Sequence, residues 1–221
     1  MSRVVVKVGG AVAADAAGAI LALAEAHEVV VVHGAGPQIS SELERRGLPV
    51  EFVAGRRVTS PAALEVVRDS LAAVNEALCA ALGPQAIGLF GDEIGLRATQ
   101  AAGLGLVGDA LPSRPPAVES ALEAGLLPVV APLAEGPLNV NADEAAAALA
   151  VGLGAERILF YTDVPGLFVE GVVVATIDVD EADRLLDDGE LEGGIVPKLR
   201  AAVTAARLGL KAEIGETAVI G

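Results

Sequence analysis

Short runs of Val, Ile and Leu alternate along the chain with longer Ala-rich stretches. Val4–Val8, Val29–Val32, Ala86–Phe90, Leu127–Ala131 and Arg157–Tyr161 form continuous apolar runs rather than alternating ones. They read as strands buried on both faces, the pattern of a sheet covered by helices. Between and after them, helices are predicted over Ala13–Ala26, Gln38–Arg46, Pro61–Leu82, Ala117–Ala124, Ala142–Gly152, Asp180–Asp187 and Lys198–Leu208. Ser60 is a helix N-cap ahead of Pro61, whose missing N–H has no partner to lose in a first turn, and Gly36-Pro37 repeats the arrangement. Leu48–Val58 is too short for a crossover helix and reads as a hairpin. The order of elements predicts an α/β fold, a three-layer αβα sandwich around a mostly parallel open sheet, with 1–221 as one domain.

Composition narrows the chemistry. A chain of 221 residues is long enough to bury a sizeable core, about 70% of the surface of its unfolded state. Its formal net charge of −15 repels nucleic acid and anionic membranes, so no nucleic-acid or membrane partner is expected. An anionic ligand must therefore be held by a few placed cations. Cys79 is the single cysteine, which excludes an intrachain disulfide and fits a reducing, cytoplasmic setting. One cysteine and two histidines are too few for a typical structural zinc site, and no metal site is expected from side chains alone. The longest charge-free stretch, Ala77–Gly91, is interrupted by Gly83-Pro84 and is too short to span a bilayer. No export signal is visible at the N-terminus.

Only three residues are lysine against twelve arginines, and Lys7 and Lys198 both lie beside Gly-Gly pairs, at Gly9-Gly10 and Gly193-Gly194. A compact ammonium next to bare backbone N–H donors suits a transferring phosphoryl group. Two such places suggest one site with two cationic arms; either alone is equally a lysine on a surface loop. The strand-to-helix junction His33-Gly34-Ala35-Gly36-Pro37 offers free amides to an anion. It is no Walker loop, and Ile39 replaces the third glycine of a dinucleotide fingerprint. His33 reads as a hydrogen-bonded strand-end residue. Asn139, Asn141 and Asp143 alternate, so extended backbone would project them to one side. Burying three polar groups beside Val129-Val130-Ala131 is costly without a ligand or partner, although a helix N-cap would account for one or two of them. Thr162-Asp163-Val164-Pro165-Gly166 has turn chemistry after a buried strand, and Asp163 is placed to orient a nucleotide or a metal.

Taken together, Lys7-Val-Gly9-Gly10, His33-Gly-Ala-Gly-Pro37, Gly55-Arg-Arg57-Val-Thr59, Asn139-Val-Asn-Ala-Asp143, Thr162-Asp-Val-Pro-Gly166 and Gly194-Ile-Val-Pro-Lys198 occur in the order of the amino-acid kinase superfamily. Within it the chain resembles the acetylglutamate kinases from residue 3 to about residue 208. The resemblance implies that ATP, with Mg²⁺ held largely by its phosphates and water, donates its γ-phosphoryl group to the side-chain carboxylate of N-acetyl-L-glutamate in arginine biosynthesis. It implies Lys7 and Lys198 as catalytic cations held by Asp143. Substrate binding is implied for Gly10, Gly34, Ala35, Gly36, Arg57, Asn139 and Asn141. Nucleotide contacts are implied for Lys7, Gly9, Thr162, Asp163, Gly166, Gly194 and Lys198. Arg57, directly before Val-Thr, matches the family arginine in preference to Arg56. Approximate lobes follow, 1–135 for the amino-acid substrate and dimerisation and 136–221 for nucleotide.

Ala35 stands where the family usually has glycine, and left-handed backbone there would cost about 1–2 kcal/mol. The chain is also shorter than most relatives near Glu135–Leu138, after Phe168 and at its C-terminus. Only Met1 and Ser2 precede the first strand. Arginine-inhibited relatives have a helix there that interlaces dimers into hexamers, so the expectation is an arginine-insensitive homodimer built on the helix Pro61–Leu82. Two other readings remain at this stage. One is a kinase for an aminoadipyl or glutamyl group on an acidic carrier protein, against which −15 argues. The other is a catalytically silent sensor of amino acid or nucleotide on the same fold.

Overall fold

The computed structural model describes every residue except 11–15, 163, 190 and 192. Its first third runs β1 (Ser2–Val8), α1 (Ala17–Ala24), β2 (His27–His33), α2 (Gly36–Arg45), β3 (Phe52–Val53), β4 (Arg56–Arg57) and α3 (Pro61–Leu82). The middle holds β5 (Ala86–Phe90), α4 (Gly91–Ile94), β6 (Ala98–Gln100), β7 (Val107–Ala110), α5 (Pro116–Glu123), β8 (Leu127–Ala131), β9 (Leu133–Ala134) and β10 (Leu138–Val140). The remainder is α6 (Ala142–Gly152), β11 (Arg157–Tyr161), β12 (Phe168–Val169), β13 (Val172–Val173), β14 (Thr176–Asp178), α7 (Val179–Asp187), α8 (Ile195–Arg207), β15 (Lys211–Ile214) and β16 (Thr217–Ile220).

Eight strands form the central sheet in the order β14-β16-β15-β11-β1-β2-β8-β5. From β15 to β5 all neighbours pair in parallel, and the sheet turns antiparallel at β15–β16. A four-stranded sheet, β6-β7-β10-β9, stands beside it, and β3–β4 and β12–β13 are separate hairpins.

Strand alternation divides the core between the two faces of the sheet. Val4, Val6, Val8, Val29, Val31 and Val129 pack with Ile20 of α1, Leu43 of α2 and Leu71 of α3. Val5, Val30, Val32 and Val130 pack with α5, α6, α7 and α8 on the other side. Each fully buried valine contributes about 1.5–3 kcal/mol before the entropy of ordering is subtracted. In α6 the buried residues are almost all alanine, which lets the helix lie close over β1 and β2. That close approach brings its N-terminus to the end of β1.

Several expectations need correction. Ala86–Phe90 is not buried on both faces: β5 ends the sheet, and Gly88 is exposed. β11 alternates, with Ile158 and Phe160 buried while Arg157, Leu159 and Tyr161 are half-buried. α2 begins at Gly36 with Ala35 as its N-cap, so Pro37 is the second helical residue instead of the first. The start predicted for the first helix, 13–15, lies outside the described residues, and its described part is Ala17–Ala24. Among the described residues no helix is long and apolar enough to cross a membrane.

Candidate active site

A cleft of about 630 Å³ opens at the C-terminal ends of the parallel strands, where open α/β sheets bind ligands. Lys7, near the end of β1, is only 5% exposed and shares the α6-facing side with Val5. Asp143, in the first turn of α6, is 4% exposed. Lys7 Nζ lies 2.9 Å from Asp143 Oδ1, as an ion pair rather than an aligned hydrogen bond. Lys198 Nζ, from the first turn of α8, lies 3.7 Å from Asp143 Oδ2 and donates to Gly194 O at 3.3 Å. One carboxylate between two ammoniums brings both cations to a largely desolvated place on the cleft wall, an arrangement that suits an anionic ligand.

The glycine loops meet beside these cations. A Cβ on Gly10 would sit 2.7 Å from Gln38 Oε1, 2.8 Å from Gly34 O and 2.9 Å from Ala35 Cα. Only glycine allows that approach. Gln38 Nε2 donates to Gly10 O at 3.0 Å, and Gly34 N donates to Val8 O at 2.9 Å. Ala35 has φ −141°, so the backbone is not left-handed and the anticipated cost of alanine there does not arise.

Arg57 in β4 is 6% exposed. Its Nη2 donates to Gly36 O at 3.1 Å and Ser40 Oγ at 2.7 Å, and its guanidinium stacks 4.5 Å from the Phe52 ring centroid. Nη1 is buried without a hydrogen-bond partner, and burial pushes the guanidinium pKa below its ordinary value. A desolvated cation with an unused donor on the wall of the cleft is a ready carboxylate site. Arg56 points the other way: Nε and Nη2 reach Glu144 at 2.9 and 3.0 Å, and Nη1 reaches Asp109.

Asn139, Asn141 and Asp143 all line the cleft, but not as one extended row. The strand stops at Val140 and a helix begins, which ends the alternation. Asn139 Nδ2 donates to Thr59 Oγ1 at 3.0 Å, and Thr59 Oγ1 donates to Arg57 O at 2.8 Å. Asn141 Oδ1 caps α6, accepting from Asp143 N at 2.8 Å and Glu144 N at 3.3 Å. Each of the three therefore has a protein partner, so burial cost alone does not call for a ligand. His33 is buried and bonded through Nε2 to Asn75 Nδ2 at 3.0 Å. Burial is the main cause that pushes its pKa down to about 4.

Gly9, Gly36, Thr162 and Gly194 lie on the same cleft. Gly166 is buried off the cleft, where a Cβ would come 2.9 Å from Val173 Cγ1. Asp163 lies outside the described residues. Gln38 and Asn75 lie outside the motifs, and Thr59 closes one of them without a role of its own. Only Asn75 left a signal, a polar residue on the apolar stripe of α3 between Leu71 and Leu78. Among the described residues no three His, Cys, Asp or Glu side chains converge to hold a metal.

Comparison with known proteins agrees with this geometry. Residues 2–216 match the model of the amino acid kinase family. The chain is similar to the acetylglutamate kinase of Rubrobacter xylanophilus, 43% identical over 97% of this chain and 88% of that protein. It is 38% identical to the acetylglutamate kinase of Geobacillus kaustophilus, over 91% of this chain and 84% of the relative. Among solved structures, smu.665 from Streptococcus mutans superposes with a TM-score of 0.88 at 27% identity, covering 99% of this chain and 98% of that one. Carbamate kinase from Giardia lamblia shares the fold, with a TM-score of 0.74 at 17% identity over 99% of this chain and 98% of that chain.

Proposed function

The chain belongs to the amino acid kinase family, and from that premise we propose that it is an acetylglutamate kinase of arginine biosynthesis. ATP is the phosphoryl donor and the side-chain carboxylate of N-acetyl-L-glutamate the acceptor. The observation that carries the reading is the pair of lysines meeting on Asp143 beside the Gly10 and Gly34 loops, with Arg57 on the wall of the same cleft. A glutamate-type side-chain carboxyl, which titrates near pH ~4.3 in water, is ionised at neutral pH, so the nucleophile needs no general base. A carboxylate oxygen attacks the γ-phosphorus, the bond from that phosphorus to the β,γ-bridging oxygen breaks, and ADP leaves. The protein's part is positioning and charge neutralisation.

Lys7 and Lys198 bracket the transferring group, Lys198 from the nucleotide side, while Asp143 keeps both ammoniums aimed. Gly10 and the Gly34–Gly36 backbone donate to its oxygens. Arg57 binds the substrate α-carboxylate, with Asn139 and Asn141 beside it. Gly9, Thr162 and Gly194 serve the nucleotide; with 1–135 as the approximate substrate lobe and 136–221 as the nucleotide lobe, Gly9, Asn139 and Asn141 act across the boundary. Mg²⁺, held largely by the triphosphate and water, would neutralise phosphate charge.

We infer a cytoplasmic homodimer formed through α3, whose uncovered face presents Ala73, Ala77 and Ala80 with Glu76. Small side chains permit a close helix approach. Hydroxylamine trapping tests the chemistry. With ATP, Mg²⁺ and N-acetylglutamate an acyl phosphate should be captured as its hydroxamate. ADP release with no hydroxamate would contradict transfer to a carboxylate.

A further inference from the structure

The β3–β4 hairpin that carries Arg57 is poorly equipped to hold its own shape. Two residue pairs, Phe52↔Arg57 and Val53↔Arg56, and one flanking bond from Val58 N to Glu51 O at 3.0 Å make up its ladder. An isolated two-stranded hairpin is marginal in water. Its turn adds strain: Ala54 and Gly55 both have positive φ, 49° and 79°, and alanine pays for that conformation where glycine does not. Phe52 and Val53 are 52% and 46% exposed, so little burial anchors the first strand. The hairpin must be fixed from outside.

Arg57 ties the hairpin to α2 through Gly36 O and Ser40 Oγ, and Arg56 makes the second connection. Neighbouring residues in a strand face opposite ways, so Arg57 turns to the cleft wall while Arg56 turns to the first turn of α6 and to β7. Its fork meets both Glu144 oxygens, and the remaining nitrogen meets Asp109. Two parallel bonds fix orientation as well as distance. Although Arg56 borders the cleft, its Nε, Nη1 and Nη2 are thereby all engaged with carboxylates. The successive residues Asp143 and Glu144 thus tie the two lysines and the substrate hairpin to one helical turn.

We propose that Arg56 is a positioning residue: its bridge to Glu144 and Asp109 holds the β3–β4 hairpin in place and so keeps Arg57 where a substrate carboxylate binds. The proposal rests on the reading of Arg57 given above, and two measurements separate the two. The first is amide hydrogen exchange of the segment 48–60 in the substrate-free protein, for wild type, Arg56→Ala and Glu144→Gln. Both variants should exchange faster there and not in the central sheet. The second is steady-state kinetics.

Loss of the pair should raise KM for N-acetylglutamate about tenfold, with KM for ATP within about twofold and kcat within about threefold of wild type. Arg56→Lys keeps the charge but not the fork, and should fall between. Because Arg56 acts through Arg57, adding Arg56→Ala to Arg57→Ala should change KM little further. Unchanged exchange in the hairpin, or KM effects that simply multiply in the double variant, would overturn the proposal. If wild type does not turn over N-acetylglutamate, the functional reading fails while the exchange data still decide whether Arg56 holds the hairpin.

Discussion

Lys7 and Lys198 meet on Asp143 at the wall of the cleft, where the proposed mechanism has both ammoniums face the transferring group. Lys7→Ala and Lys198→Ala should therefore each lower kcat by a factor on the order of 10² to 10³, as for loss of one preorganised donor. Arginine should not rescue either, since a planar fork does not fit the space of a point charge. Asp143→Asn should also act on kcat, because it disorders the cations and leaves the substrate contacts in place. On the proposed role of Arg57, Arg57→Ala removes a contact to a non-reacting carboxylate, so KM for N-acetylglutamate should rise by more than in Arg56→Ala. Steady-state kinetics on the five variants distinguishes these outcomes, and activity within a few-fold of wild type in either lysine variant would contradict the assignment.

His33 gives a pH prediction at the same scale. Its pKa falls from 6.5 in the unfolded chain to about 4 in the folded one, mainly through burial. A depressed pKa means that the neutral form is favoured by folding, so this stability is fully present above pH 6.5 and is lost as pH falls toward 4. Linkage gives a loss of about 2 kcal/mol between pH 7 and pH 5 from this group. Urea unfolding at the two pH values measures it, and His33→Gln should flatten the difference. An equal loss in the variant would assign the effect to other groups.

At the scale of elements, α3 shows what makes a boundary readable. Ser60 accepts from Ala63 N at 3.2 Å, Pro61 fills the first turn, and Gly83 with φ 88° ends the helix. All three signals are local, and both ends were legible. Ser60→Ala should lower stability by about 1 kcal/mol in urea unfolding; no change would mean that packing alone fixes the start of α3. β8 was readable for a different reason, as a continuous apolar run buried along its whole length inside the sheet.

The strands β6, β7, β9, β10 and β12–β16 left no comparable trace. They span two to four residues each, too few to show a period, and β7–β10, β11–β15 and β14–β16 also pair residues more than thirty positions apart. The candidate site divides along the same line. Lys7, Lys198 and the glycine loops were visible because their chemistry is local. The contact of Thr59 with Asn139 and the bridge from Arg56 to Glu144 join residues eighty and more positions apart, and only the fold brings them together.

At the scale of the molecule, a chain with net charge −15 concentrates two lysines and two arginines in one cleft. Background repulsion of anions makes those few placed cations decide what binds. The inferred dimer should appear in light scattering at micromolar concentration as roughly twice the 22.1 kDa chain mass. A mass of one chain, or of six, would contradict association through α3 alone.

The most direct test of the central claim is ADP release in a coupled assay with ATP and Mg²⁺, offering N-acetylglutamate, glutamate, aspartate and carbamate in parallel. The account predicts rapid, saturable release with N-acetylglutamate and little with the other three. Release that is absent with N-acetylglutamate, or faster with any of the others, would contradict it.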